Sequence, residues 1–223
     1  MDLSKHLEFY NPVTNFKDEI HIIGVGAGGS TLCMLLTRLG FPKIHIYDFD
    51  IVTAHNIANQ MFDNDDIGCA KTLAVKNNCI MINPDINIVV HDKGWSSDDT
   101  LAGYVFLCVD SIELRKQIAE ENKFNPNIKA MFDHRMRFSD CQHYAAVWSD
   151  KKQKDNFIKS MNFTDEEARA QTPVSACGTT LSILPTVLIM ASYSISNFLN
   201  YLKKNELKNV VLMDSFGFDV LAM

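Results

Sequence analysis

Gly24, Gly26 and Gly29 carry the spacing G-x-G-x-x-G within GVGAGG, between the apolar run IHII and a helix-like segment rich in leucine. In a strand–turn–helix unit the first glycine permits a tight turn. The second lets a phosphate approach the backbone, and the third lets the helix pack closely on the strand. Amides at the helix N-terminus then face the anion. Asp48 ends the next apolar run, KIHIY, where a carboxylate can accept hydrogen bonds from ribose hydroxyls. These residues read as a nucleotide site, and the alternative is a plain strand-to-helix connection.

Further polar groups follow the ribose acid. The stretch DFDIVTAHNIANQMFDNDDIGCAK adds Asp50, Asn56, Asn59, Gln60 and Lys71, more than a dehydrogenase ordinarily needs there. Downstream, Asp110 ends the run YVFLCVD, immediately before SIELR. A lysine and an acid beside bound phosphates suit phosphoryl chemistry, in which charge on incoming and leaving oxygens must be neutralised. Each has a structural alternative. Lys71 could be a solvated charge at a helix start, Asp50 a loop cap, and Asp110 a helix N-cap.

The elements that must position these residues are legible as alternating periods. Strands are predicted at 20–25, 43–50, 86–92, 104–110 and 128–134, with helices at 29–40, 69–82 and 111–122 between them. Such alternation with short connections predicts an α/β, Rossmann-like fold whose mostly parallel sheet is covered by helices on both faces. Beyond His134 the alternation in CQHYAAVW predicts antiparallel strands added in the C-terminal half, and NVVLMDSF a closing strand. A long helix is expected where Leu188, Ala191, Ile195, Phe198, Leu199 and Leu202 share one face. We read residues 1–223 as a single domain, with a lead-in at 1–19 and an exposed, charged, crossover-type segment at 150–173.

Composition narrows the function classes. With 223 residues and 47% hydrophobic content the chain can fill one core, and its net charge of −6 argues against a nucleic-acid surface. No signal-like start is present, and the apolar stretch LSILPTVLIMASYSI is broken by proline and serines, so a cytoplasmic, membrane-free protein is expected. Six scattered cysteines without a CxxC pair suit a reducing compartment.

The segments GVGAGG, DFDIVTAHNIANQ, DIGCAK, INPDINI and LCVDSIELR, in this order and spacing, resemble the ThiF/MoeB/HesA adenylyltransferases, whose fold also forms the adenylation domain of ubiquitin-activating enzymes. The resemblance implies ATP and Mg2+ as ligands. The substrate it implies is the C-terminal Gly-Gly of a small ubiquitin-like or sulfur-carrier protein, and the working unit a homodimer. Carried over, Gly24, Gly26 and Gly29 shape the phosphate turn, Asp48 holds the ribose, and Asp50, Asn56 and Asn59 line the nucleotide. Lys71 would stabilise phosphate charge and Asp110 would hold the magnesium. Arg115 pairs with an acid beneath the site, and Arg135 and Arg137 shape the acceptor floor. Cys177 in TPVSACGTT matches a region where some relatives carry an acceptor cysteine; a buried structural thiol is the other reading. His134 and His143 lack metal-pair spacing and read as ordinary strand residues.

Two departures bear on catalysis. Asn59 stands where the family has a phosphate-contacting arginine, and a neutral amide does not replace a guanidinium fork. No arginine precedes Arg38, which leaves Lys5, His6, Lys17 or a partner subunit to supply a second cation. The four-cysteine zinc site of several members is not expected. The leading function is adenylyl transfer. The alternatives are a nucleotide-binding pseudoenzyme or non-catalytic subunit, and an NAD(P)-dependent oxidoreductase.

Overall fold

Ile20–Ile23 (β1) is apolar in sequence apart from His21 and buried at every position, as only an interior strand with a layer above and below can be. The computed structural model of the chain describes residues 1–174 and 181–223. In it β1 runs parallel to Lys43–Tyr47 (β2) on one side and to Gly103–Leu107 (β4) on the other. Asn87–His91 (β3) continues beyond β2, and Ile128–Met136 (β5) beyond β4, all parallel. Asp140–Val147 (β6), Val210–Asp214 (β7) and Asp219–Ala222 (β8) follow antiparallel, giving one sheet in the order β3-β2-β1-β4-β5-β6-β7-β8. The α/β, Rossmann-like expectation with antiparallel strands in the C-terminal half therefore holds.

Residue parity assigns the two faces, because neighbouring side chains on a strand point to opposite sides. Ile20, Ile22, Ile44, Ile46, Phe106 and Phe132 meet one helical layer. That layer comprises Ala27–Leu39 (α2), Lys71–Ile82 (α3) and Leu184–Lys204 (α7), which bring Leu32, Leu36, Cys79 and Phe198 to the interface. Ile23, Tyr47, Val105, Leu107 and Met131 face the other layer. Ile112–Glu121 (α4) and Lys151–Lys159 (α5) cover it with Ile118, Ala119 and Phe157.

Three expectations change in detail. The 150–173 segment is not uniformly exposed. Asp150 caps α5, which buries Phe157 and Ile158, and Met161 beyond it is fully buried. Only the short helix Asp165–Ala170 (α6) in this segment buries no residue. On α7 the inward face is Val187, Met190, Ala191, Ser194, Ile195 and Phe198, whereas Leu188 is exposed. The 1–19 lead-in contains the one-turn helix Pro12–Asn15 (α1), and Leu3 packs against Gly40 at the end of α2. Strand β8 was absent from the prediction because its four residues are all exposed and carry no burial period. Its hairpin is set by Asp214, whose carboxylate accepts from the Phe216 and Gly217 amides.

His134 and His143 are strand residues, as expected, but lie within the core with their rings 5.1 Å apart. Hydroxyl and amide groups of α7 partner the Nε2 atom of each, while His143 Nδ1 is buried without a partner among the described residues. His134 Nε2 is 2.6 Å from Ser194 Oγ, and His143 Nε2 is 2.9 Å from Asn197 Nδ2. Burial lowers both imidazoles' pKa values, that of His143 to about 4.

One buried charge cluster ties the sheet to α4. Asp133 is fully buried between Arg115 of α4, which it meets through Oδ1, and Arg135 of its own strand, which it meets through Oδ2 at 2.6–2.7 Å. Arg115 also donates to the carbonyls of Val109 and His134. Asp133→Asn would leave two guanidiniums without their carboxylate, and breaking a buried pair costs about 3–5 kcal/mol. Urea unfolding of that variant should show a stability loss in this range; a loss below about 1 kcal/mol would mean the cluster does not hold α4 in place.

Candidate functional site

The register of three neighbouring strands brings the predicted residues to one edge of the sheet. Ile23 aligns with Tyr47 of β2 and Leu107 of β4, so the chain leaves all three strands side by side. Strand connections depart in opposite directions on the two sides of β1, and the crevice at the carboxyl ends of such strands is where open α/β sheets bind ligands.

Gly24 turns the chain there with φ +89°, and a Cβ on it would lie 2.9 Å from the Cys108 carbonyl and the Val109 nitrogen. Gly29 is required for a different reason. Its Cβ would meet the Gly24 carbonyl oxygen at 1.9 Å, so the first turn of α2 presses directly on the turn. Gly26 caps α2 without any side-chain hydrogen bond, and among the described residues, its chain neighbours and own helix aside, the one atom within 4 Å of its missing Cβ is Gln60 Oε1, at 3.9 Å. Among the described residues, the N-terminus of α2 is therefore without a side-chain cap and has open space beside Gly26. Gln60 Oε1 is buried without a partner among the described residues.

Asp48 follows β2 directly. Its Oδ2 accepts from the Val25 amide at 2.7 Å and its Oδ1 from the Asp50 amide at 2.9 Å, which fixes the carboxylate against the glycine turn. Each oxygen keeps acceptor capacity toward solvent. The segment from Asp50 to Lys71 closes on itself through the Ile51–Ala70 bridge and the Lys71 N to Asp50 O hydrogen bond. Lys71 Nζ then reaches Asp50 Oδ2 at 2.8 Å. Lys71 is 7% exposed, which overturns the solvated-charge alternative, and the Asp50 side chain is an ion-pair partner rather than a loop cap. As the first residue of α3, Lys71 sits at the positive end of the helix dipole, an unfavourable place for a cation unless an anion accompanies it.

Asp110 is exposed just beyond β4, and no hydrogen bond of its carboxylate occurs among the described residues. The N-cap alternative fails because Ser111 caps α4, accepting from the Leu114 amide. A second acid assists that cap. Asp165 accepts from Ser111 Oγ at 2.7 Å and from the Ile112 amide at 2.6 Å, docking α6 next to Asp110. Burial opposes its ionisation, but these hydrogen bonds hold the Asp165 carboxyl below the usual range. Sequence reading missed Asp165; the capping pair Thr164–Glu167 that introduces α6 was the available signal.

The remaining candidates separate. Asn56 is buried with its Oδ1 accepting from the Thr53 amide and hydroxyl in a capping box. Asn59 donates through Nδ2 to the Ser182 carbonyl at 3.1 Å, tethering this loop to the approach of α7. Arg115 pairs with Asp133 as expected for an acid beneath the site. Arg135 is held by Asp133 and by Ser160 Oγ and O at 2.9 Å, so it belongs to the scaffold. Arg137 lies near Asp140 at 3.7 Å. Lys5 and His6 line a groove with Leu39, at the end of α2 remote from the glycine turn, and Lys17 neighbours Asp18, whose partner Lys129 lies on the opposite edge of the sheet. None of the three reaches the turn of its own chain. Cys177 lies outside the described residues.

A cleft of about 610 Å3 lies between α4 and the start of α6, and its lining includes Glu113, Glu120, Glu121 and Glu167. Four carboxylates against the single ammonium of Lys116 make this cleft a poor place for a polyphosphate. No described helix is long and apolar enough to cross a membrane.

The chain is 31% identical over 133 residues to ubiquitin-like modifier-activating enzyme 5 of Drosophila pseudoobscura pseudoobscura, a match covering 50% of this chain and 34% of that protein. The Caenorhabditis elegans enzyme of the same name is 25% identical over 142 residues, covering 62% and 32%. The matches thus span about a third of these curated relatives. Among solved structures, E. coli MccB with ATP superposes with a TM-score of 0.70 at 14% identity, covering 94% of this chain and 64% of that one. PaaA gives 0.68 at 15%, covering 92% and 63%. These likenesses are of fold. The ThiF family model matches residues 14–222, nearly the whole chain, and the chain belongs to the ThiF family.

Proposed function

We propose that the chain binds ATP at the carboxyl edge of β1, β2 and β4 and adenylates the C-terminal carboxylate of a small ubiquitin-like or sulfur-carrier protein ending in Gly-Gly. The observation that carries this reading is the uncapped α2 N-terminus at Gly26, open on its ligand side and flanked by Asp48, the Lys71–Asp50 pair and Asp110. ThiF membership, the ubiquitin-like activating enzymes among the relatives, and the ATP held by MccB support it.

In this reading the amides of the α2 first turn receive the phosphates, and Asp48 accepts the ribose hydroxyls with its remaining lone pairs. The substrate carboxylate, already ionised at neutral pH, attacks the α-phosphorus without a protein base. The bond to the β-phosphate oxygen breaks, leaving acyl-adenylate and pyrophosphate. Lys71, held ready by Asp50, directs its ammonium to the phosphate oxygens and neutralises the negative charge that grows there. Asp110 is the carboxylate of this edge left without a protein partner among the described residues, and it fits Mg2+, which favours one or two carboxylates plus phosphates and water. Bound Mg2+ would supply further neutralisation of the polyphosphate. The Cys177 thiolate would then attack the acyl carbon, forming a thioester as the acyl–phosphate bond breaks and AMP leaves, and a second copy of the chain would supply the second cation.

A second reading is a nucleotide-binding subunit without turnover. Asn59 favours it, since the position of the family arginine is spent on a tether to Ser182 and carries no charge. Pyrophosphate exchange separates the readings. With ATP, Mg2+ and candidate Gly-Gly proteins, exchange supports adenylation; ATP binding without exchange supports the subunit; preference for NAD(H) removes both.

Within the adenylation reading, Asp110→Ala should abolish Mg2+-dependent exchange and Lys71→Ala should lower it by about 10²–10³-fold, with circular dichroism unchanged. Undiminished exchange in either would remove that residue from the mechanism. Cys177→Ala should abolish a thioester cleaved by mild reductant, and full transfer by this variant would assign the thiol to packing.

The glycines should divide cleanly. Gly26→Ala should melt as the parent does and bind ATP about tenfold more weakly. Gly29→Ala should lose stability at the upper end of the roughly 1–3 kcal/mol overpacking range. Equal ATP titrations of the parent and Gly26→Ala would move the phosphate away from this turn.

A further inference from the structure

At the end of the sheet opposite the glycine turn, three potential metal ligands converge. Glu19 immediately precedes β1, His21 is its second residue, and His45 is the register partner of His21 on β2. Glu19 Oε2 lies 3.6 Å from His21 Nε2 and 3.7 Å from His45 Nε2. All three donor atoms lie within 4.8 Å of one another. A tetrahedral ion with ligands at 2.0–2.2 Å needs donor–donor separations of about 3.3–3.6 Å. The cluster needs only a small contraction, with the two stacked rings tilting together from their present 20°.

The surroundings orient these donors. His21 Nδ1 is 3.1 Å from Tyr47 Oη, and His45 Nδ1 is 3.1 Å from His91 Nε2. Metal-binding histidines are commonly held in this way, the nitrogen away from the ion fixed by an outer partner. Both Nε2 atoms consequently face Glu19. That of His45 is buried with no hydrogen-bond partner among the described residues, an orphan a bound cation would satisfy. That of His21 accepts from the Ala102 amide at 3.4 Å, a long hydrogen bond that a bound cation would replace. Lys43 occupies the other oxygen of Glu19, leaving Oε2 directed at the rings.

Position in the fold sets this cluster apart. The sheet face that carries Ile23, Val105 and Leu107 is covered by α4 and α5, yet over β1–β3 it bears His21, His45, Tyr47 and His91, capped by Trp95 and Leu101 from the β3–β4 connection. An interior sheet face ordinarily carries aliphatic side chains. A ladder of imidazoles there, with one free nitrogen aimed at a carboxylate, has the composition of a ligand set.

We propose that Glu19, His21 and His45 form a binding site for a divalent transition-metal ion of the Zn2+ class, with a fourth position left for water. The site joins the amino ends of β1 and β2 and is independent of the nucleotide reading. Its donor set is nitrogen and oxygen, unlike a four-cysteine centre.

The test is titration of the chelator-stripped full chain with Zn2+ by calorimetry and with Co2+ by absorption. One equivalent should bind and give the ligand-field bands of a four-coordinate N/O site. Glu19→Gln, a near-isosteric change at a half-exposed side chain, and His45→Gln should each weaken binding by at least about 10–100-fold. Should His45→Gln unfold, Glu19→Gln alone decides. No stoichiometric binding, equal affinity in Glu19→Gln, or sulfur-to-cobalt charge-transfer bands from a cysteine site would overturn the proposal.

Discussion

The contact between Gly29 and the Gly24 carbonyl is the constraint on which the arrangement rests. No side chain fits at Gly29, so α2 begins against the exit of β1 and its first amides open over the strand ends. Because β1 lies between β2 and β4 in matched register, the same exit collects Asp48 from one neighbour and the approach to Asp110 from the other. A helix set back by one side chain would still pack on the sheet, but its dipole would point past that crevice rather than into it.

Charge pairing then divides the ionic side chains into two kinds. Asp133 is sealed between Arg115 and Arg135, and these three hold α4 to β5 and the loop above them in place. Such a cluster is retained because removing one member strands the others in a medium that solvates them poorly. Lys71 and Asp50 form a pair of the other kind, buried on the lysine side and exposed on the carboxylate side. Asp110 stands outside both groups. The amide of Asn59, in contrast, has been absorbed into the scaffold through Ser182, and the local charge of the loop is lower for it.

Polar residues also define the opposite edge of the sheet. There Glu19 gathers Lys43, His21 and His45 around one carboxylate, while Tyr47 and His91 extend the stack of rings across three strands. The same strands that deliver acids and glycines at their carboxyl ends thus carry a compact set of nitrogen donors nearer their amino ends.

The amino-acid sequence by itself determined the strand–helix order, the glycine turn and the acids at the strand ends. Parallel strands buried on both faces appear as unbroken apolar runs, and turns require particular residues, so both signals are local. Strand β8 escaped because its four residues are exposed and carry no burial period, whereas the inward face of α7 was legible through Ala191, Ile195 and Phe198, with Leu188 misplaced on it. Only the tertiary structure decided which charges are spent and which are free: that Lys71 is buried on Asp50, that Ser111 rather than Asp110 caps α4, that Asp165 locks the crossover beside it, and that two histidines converge on Glu19. These outcomes depend on partners brought together from distant parts of the chain, where the energy of an ion pair or hydrogen bond is set by desolvation and geometry that no local spacing records.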